Sequence, residues 1–290
     1  MDNNKYIFSG HESFSLREGW IVKGIRAILN NGKTIFIGKE LMNTIDELGI
    51  GANMVKSLKY WLEIYDIIDE NIELNPLVAE IKKYDEYMQY KITLWFIHYL
   101  SLTPLKKRRA IIWDIISYKN ENMTFNKDHM IDLIDSETDK KYSKNTIETS
   151  LGVYIKTYIS ETEKNANDPE NNLISPFAKL EYLRRDKKNE EYFFRSINYK
   201  EINSYFGYLV LKSFCEKFNV NKIEKIEAYN KFKLIVKMDS YNFEMLLKEM
   251  ENNSLINIDR AAGLNNINLT AKLTDKEIIK KMYKDVGGGK

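Results

Sequence analysis

Residues 38–75, GKELMNTIDELGIGANMVKSLKYWLEIYDIIDENIELN, restrict the fold more than any other stretch. Leu41, Met42, Ile45 and Leu48 fall on one face of a short helix. Gly49 and Gly51 then bracket a tight turn, where two packed helices reverse direction. A longer helix is expected from Ala52 to Ile68, with Met54, Val55, Leu58, Trp61, Leu62 and Tyr65 as its apolar stripe. Asn53, Lys56, Lys59, Tyr60 and Glu63 lie opposite on the helical wheel. Amide, hydroxyl and basic groups on an exposed helix start suit groove entry and phosphate contact, whereas the alternative is a hairpin whose outer face is simply solvated. Asp69–Asn75 is short and polar enough to form a wing after the helix pair.

Upstream, YIFSGHESFSLREGW (6–20) gathers unusual residue types: His11, one of three histidines, beside Glu12, with Arg17 close behind. One reading makes His11, Glu12 and Arg17 a catalytic or anion-binding cluster. Two potential ligands fall short of the three or four that a transition metal requires. The other reading is a strand and turn whose polar groups serve as caps. A helix beginning near Ser15 continues through Ile21–Leu29 and ends at Asn30-Asn31-Gly32-Lys33, and Thr34–Ile37 is β-prone.

Further along, Lys91–Leu102 is apolar nearly all round and reads as a buried central helix, with His98 as a core histidine. Lys106, Lys107, Arg108 and Arg109 form the densest run of positive charge, either a phosphate contact or a solvated edge. Lys127–Ile134 and a longer helix capped by Ser143 repeat the helix-turn-helix pattern, with Ile147, Leu151, Tyr154, Ile155 and Tyr158 facing inward. Residues 161–176 are polar and turn-rich, a linker. Beyond it a β-hairpin is expected around Asp186–Asn189, carrying Arg184, Arg185, Lys187 and Lys188 near its tip. A buried helix at 205–218, a strand-like run at Phe232–Val236, a helix at 241–252 and a second hairpin at 254–270 follow.

The resulting fold class is mainly α with small β-hairpins, an α+β protein of tandem winged-helix or helix-turn-helix-like units. Three domains are expected: 1–90, winged-helix-like; 91–165, helical with the second helix-turn-helix-like unit; and 177–290, α+β and winged-helix-like. A net charge of +2 over 290 residues requires any nucleic-acid surface to be a local patch. The single Cys215 excludes an internal disulfide and suits a reducing cytoplasm. The sequence starts without a signal-peptide pattern, and its most apolar window is too short to span a bilayer. Neither a phosphate-binding Gly-rich loop, a dinucleotide fingerprint nor an HExxH pair occurs.

FSGHESFSLREGW, LGIGANMVKSLKYWLEIYDII and RAAGLNNINL, in that order, resemble the bacterial domain-of-unknown-function 4007 family across nearly the whole chain. Members are encoded beside genes for DNA phosphorothioate modification. The resemblance therefore implies a DNA-binding protein of a phosphorothioate modification or antiviral defence system, working with DNA and with other proteins of that system, not with a membrane. It also implies an association with DNA nicking, for which Mg²⁺ or Mn²⁺ would be the natural cation. Two alternatives stand beside it: a non-catalytic adaptor that binds partner proteins, and a transcriptional regulator.

Overall fold

The computed structural model describes residues 6–8, 10–38, 41–102, 109–120, 122–160, 174–260, 265–284 and 286. The fold is α+β, mostly helical with small antiparallel sheets. Its first unit is α1 (Trp20–Asn31), a 3₁₀ turn at Gly32–Phe36, α2 (Leu41–Leu48) and α3 (Ala52–Ile64). Gly49 closes the α2–α3 turn at φ 61°, a conformation that costs a side-chain-bearing residue. The chain then reverses through an antiparallel bridge between Ile68 and Leu74. Next come α4 (Pro76–Ile81), whose N-terminus Asn75 caps through the Leu77 amide, and α5 (Lys91–Leu102).

The remainder contains one order of elements twice. Strand β1 (Tyr6–Ile7) pairs in parallel with β2 (Arg109–Ala110), which leads into α6 (Ile111–Asp114) and a π-turn at Ile115–Lys119. There follow β3 (Thr124–Phe125), α7 (Lys127–Glu137), α8 (Lys144–Tyr158), β4 (Leu183–Asp186) and β5 (Glu191–Phe194). The sheet order is β3-β5-β4, so the returning strand sits in the middle. After α9 (Ser204–Lys217) the pattern recurs as β6 (Lys222–Glu224), α10 (Lys225–Val236), α11 (Ser240–Asn252), β7 (Ile256–Asp259) and β8 (Asn266–Leu269), in the order β6-β8-β7. Helix α12 (Asp275–Lys284) packs back onto α9 and α4.

Aromatic side chains join these units into one core. The Trp61 ring of α3 meets Trp113 of α6 edge-on at 5.6 Å, Trp113 meets Tyr154 of α8 at 4.9 Å, and Tyr65 stacks on Phe177 at 4.6 Å. Each such side chain, fully buried, contributes on the order of 2 kcal/mol of apolar transfer energy. His98, in the middle of α5, is fixed by chemistry that reveals its tautomer. Its Nε2 lies 2.9 Å from the Ile235 carbonyl, which can only accept, so Nε2 carries the proton. Tyr158 then donates its hydroxyl proton to Nδ1 (2.7 Å) while accepting from Trp113 Nε1 (3.1 Å). Burial lowers the His98 pKa to about 4, with the nearby Lys237 charge adding to the shift.

The buried α5 with its core histidine, the helix pair capped by Ser143, and both hairpin strand pairs match the sequence expectations. Several local expectations do not. Thr34–Ile37 lies in or beside the 3₁₀ turn: Thr34 hydroxyl bonds back to the Asn31 carbonyl and Ile35 is buried. Phe232–Val236 ends α10, because Ala228, Phe232, Ile235 and Val236 are buried at helical spacing. Helix α1 starts at Trp20, after Gly19 at φ 79° breaks the chain direction, and α3 stops at Ile64 before the left-handed Asp66. Met42 is 71% exposed, so it does not share the buried face with Leu48.

Candidate nucleic-acid interface

The outer face of α3 is divided. Asn53 and Lys56, three residues apart near its N-terminus, are exposed, and Lys59 is half-buried with Glu63 at 3.9 Å. Among the described residues Lys56 forms no ion pair. Tyr60, one turn on, is 5% exposed and not on the solvent face the helical wheel assigns it. Gly10 lies directly against its ring, and a Cβ at that position would collide with the ring carbons. Burial holds the phenol well above its ordinary pKa. Tyr60 therefore packs beneath the N-terminal segment and has no free hydroxyl face for a groove. Glu63, also placed outward on the wheel, is buried.

That N-terminal segment is pinned by His11. The Ser13 amide donates to Nδ1 at 3.0 Å, so the ring proton sits on Nε2 and is donated to Ser150 of α8 at 3.1 Å. Ser150 in turn donates to the Phe8 carbonyl at 3.2 Å. His11 is 3% exposed, and burial lowers its pKa to about 4. It is neutral at ordinary pH with both nitrogens engaged, which suits a clamp and leaves neither nitrogen for a cation. Glu12 and Ser13 follow at φ 48° and 66°, two left-handed residues in a turn closed by Phe14 N–H onto the His11 carbonyl at 2.7 Å. Glu12 is exposed. Arg17 is buried, with its guanidinium carbon 5.5 Å from the ring centres of both Phe14 and Trp20. The three thus share a segment, yet only Glu12 reaches solvent.

The second basic group lies on the β4–β5 hairpin. Arg184 is paired with Glu181 at 2.5 Å, and that hydrogen bond holds the Glu181 carboxyl below the usual range. Arg185 stands 5.8 Å over Tyr192. Lys187 and Lys188 are exposed in the turn, where Asp186 accepts the Lys188 amide at 2.9 Å. Lys106, Lys107 and Arg108 lie outside the described residues. Of Arg109 only the backbone is described, in β2 against Tyr6.

Two features had no signal in the sequence. Lys237 is 5% exposed at φ 51°, with its ammonium 4.8 Å over Phe194; burial, helped by Lys233, lowers its pKa to about 8. A cleft of about 600 Å³ opens between α10 and α11, lined by Lys225, Tyr229, Phe243, Glu244, Asn265 and Asn266. A 2.6 Å Lys225–Glu244 ion pair crosses its wall. Neither is recognisable locally, because each depends on elements brought together from separate stretches. Among the described residues no three His, Cys, Asp or Glu side chains gather as a cation site. No described helix is long and apolar enough to cross a membrane.

An α+β protein in which two helix-pair-and-hairpin units follow a helical N-terminal unit is the class that this arrangement defines. The chain belongs to the family described as "Protein of unknown function (DUF4007)", which it matches over residues 8–283. Its fold is that of two solved structures. One, an SspB crystal structure, is 15% identical with a TM-score of 0.75, covering 98% of this chain and 89% of that one. The other, a magnesium ion-bound SspB crystal structure, is 16% identical with a TM-score of 0.78, covering 96% and 87%. No curated protein matches the chain in sequence.

Proposed function

We propose that the chain is a DNA-binding component of a bacterial phosphorothioate modification or defence system. The observation that carries this reading is the N-terminal half of α3, where Asn53 and Lys56 stand in solvent on the second helix of a helix-turn-helix. Followed by the Ile68–Leu74 reversal, that unit is winged-helix-like, and such helices enter the major groove by their first turns. Lys56 and Lys59 would neutralise phosphates while Asn53 meets a base edge or backbone. The β4–β5 turn with Lys187 and Lys188 offers a second phosphate contact. Membership of the family and the SspB-like fold support the system to which we assign it.

Nicking is the activity that we attach to this reading. Within the N-terminal cluster it would rest on Glu12, with His11 and Arg17 holding the turn in place. The test is incubation with supercoiled plasmid at graded salt, with and without Mg²⁺ or Mn²⁺, alongside Glu12→Ala and Lys56→Ala. Binding that weakens steeply with salt and more gently in Lys56→Ala supports the DNA reading, because counterion release sets the slope. Open circles from the wild type that vanish in Glu12→Ala support nicking. Salt-insensitive behaviour without DNA retention leaves an adaptor for partner proteins of the system.

A further inference from the structure

A second surface, at the far end of α9, combines aromatic and cationic groups in a way that the duplex-binding reading does not use. Phe214 and Phe218 are one helical turn apart, with ring centres at 4.7 Å and planes inclined by 46°. Phe218 is 55% exposed, although it ends a helix whose other side is core, and Val220 beside it is also exposed. Lys217 places its ammonium 5.7 Å from the Phe218 ring centre, and Lys231 of α10 places its own 4.6 Å over Phe214.

The charge balance there is uneven. Glu216 is occupied by Lys212 at 2.7 Å, and Lys212 also holds Asp275 at 2.7 Å. Glu227 offsets Lys231 in part, at longer range. Among the described residues neither Lys217 nor Lys231 forms an ion pair. Burial lowers the Lys231 pKa and the neighbouring Lys217 charge pushes the same way, as expected for two cations sharing a patch with too few anions. A solvent-exposed phenyl ring flanked by under-compensated cations suits a ligand that carries flat rings and anionic links in alternation.

We infer that Phe218, with Lys217 and Lys231, forms a binding platform for single-stranded nucleic acid, a base stacking on the ring while adjacent phosphates meet the two ammonium groups. Base–aromatic stacking with electrostatic tracking of the backbone is the common physics of single-strand recognition, and a paired base in a duplex cannot offer its face in this way. The platform stands on residues separate from α3, so it succeeds or fails independently of the duplex reading.

The experiment is fluorescence anisotropy of the full chain with three labelled probes: a twelve-residue oligodeoxythymidylate, an abasic strand of equal length, and a duplex. Wild type, Phe218→Ala, Phe218→Leu, the Lys217→Gln/Lys231→Gln pair and Lys56→Ala are compared. Both Phe218 variants should weaken oligodeoxythymidylate binding by about tenfold, since the ring and not its apolarity is required, and leave the duplex unchanged. The abasic strand should bind about tenfold more weakly than oligodeoxythymidylate and be indifferent to Phe218. The double lysine variant should lower the single-strand salt slope by roughly 1.4. Lys56→Ala should affect the duplex alone. Absence of wild-type binding to oligodeoxythymidylate overturns the platform, as does equal binding of the abasic strand or an unchanged affinity in Phe218→Ala. Phe218 is largely exposed, so its loss should leave the helical circular dichroism signal intact; unchanged duplex affinity in the same sample checks that directly.

Discussion

Helices α3 and α8 follow the same sequence logic and carry different charge at their exposed starts. Each is the longer second helix of a helix-turn-helix, and each is approached by the N-terminal segment. Around α3, packing stops at mid-helix, which leaves Asn53 and Lys56 in water. On α8 the inner face, with Ile147, Leu151, Tyr154, Ile155 and Tyr158, is buried and Tyr158 sits in the His98 network, while Lys144, Asn145 and Glu148 stand in water at its start. Both starts are exposed, but Lys144 of α8 has Glu148 at 3.9 Å, whereas Lys56 of α3 forms no ion pair among the described residues. A helix-turn-helix pattern therefore specifies a packing unit, and the charge of its exposed start is set separately.

The largest effect should come from Tyr158→Ala, on the buried face of α8. It should cost about 4 kcal/mol in chemical denaturation, from the lost ring and the stranded Trp113 donor. Lys156→Ala, on the exposed side of α8, should change stability by less than about 0.5 kcal/mol. Similar losses from both would mean that Tyr158 is not the buried anchor described.

Acid should act next most strongly, through the buried His11 and His98. Above pH 6.5 each imidazole is neutral in the folded and unfolded chain, and its contribution is fully present. As pH falls from 6.5 toward about 4, the unfolded chain takes up protons that the folded chain refuses, so stability drops across that window. The loss should be on the order of 3 kcal/mol per histidine. Protonation would also set a donor on His11 Nδ1 against the Ser13 amide. In His98→Gln roughly half of that slope should disappear in a pH series of denaturant midpoints.

Gly10→Ala probes the segment that covers α3. Overpacking against Tyr60 should cost roughly 2 kcal/mol, read as a lower melting temperature together with faster amide exchange around residues 8–14. No change in either would show that the segment does not press on Tyr60. The smallest effect sharpens the comparison itself. Lys56→Ala should weaken duplex binding a few-fold and reduce the salt slope by about 0.9. Lys144→Ala, at the matching start of α8, should do neither. Equal responses would erase the functional distinction between the helices.

Much of the fold can be read locally because the relevant forces are local. The apolar run of α5 has no polar face to expose, and Gly49 occurs where the backbone needs φ 61°. Misreadings arise where a distant segment intervenes. The helical wheel turns Tyr60 outward, and Gly10 and His11, from the distant N-terminal segment, turn that face into core. Strand β3 is two residues long and exists because β5, far along the chain, supplies its partner. Phe232–Val236 is β-prone by composition, yet the α5 and α11 surfaces against which α10 lies reward a helical period. The basic residues on α3 and at the β4–β5 turn were identifiable from sequence, whereas the enclosure of His11 and Arg17 depends on partners in other elements.

One contact has a consequence for how the chain is made. Tyr283 of α12 bonds to Thr93 of α5 at 2.5 Å and stacks on Tyr84 at 5.5 Å, while Thr93 and the amides of Gln89 and Tyr90 all donate to Asp85. The wall of the N-terminal region is thus completed by a segment synthesised about 190 residues later. During translation that region waits with an apolar groove open until α12 has emerged, and its closure is a late, long-range step in folding.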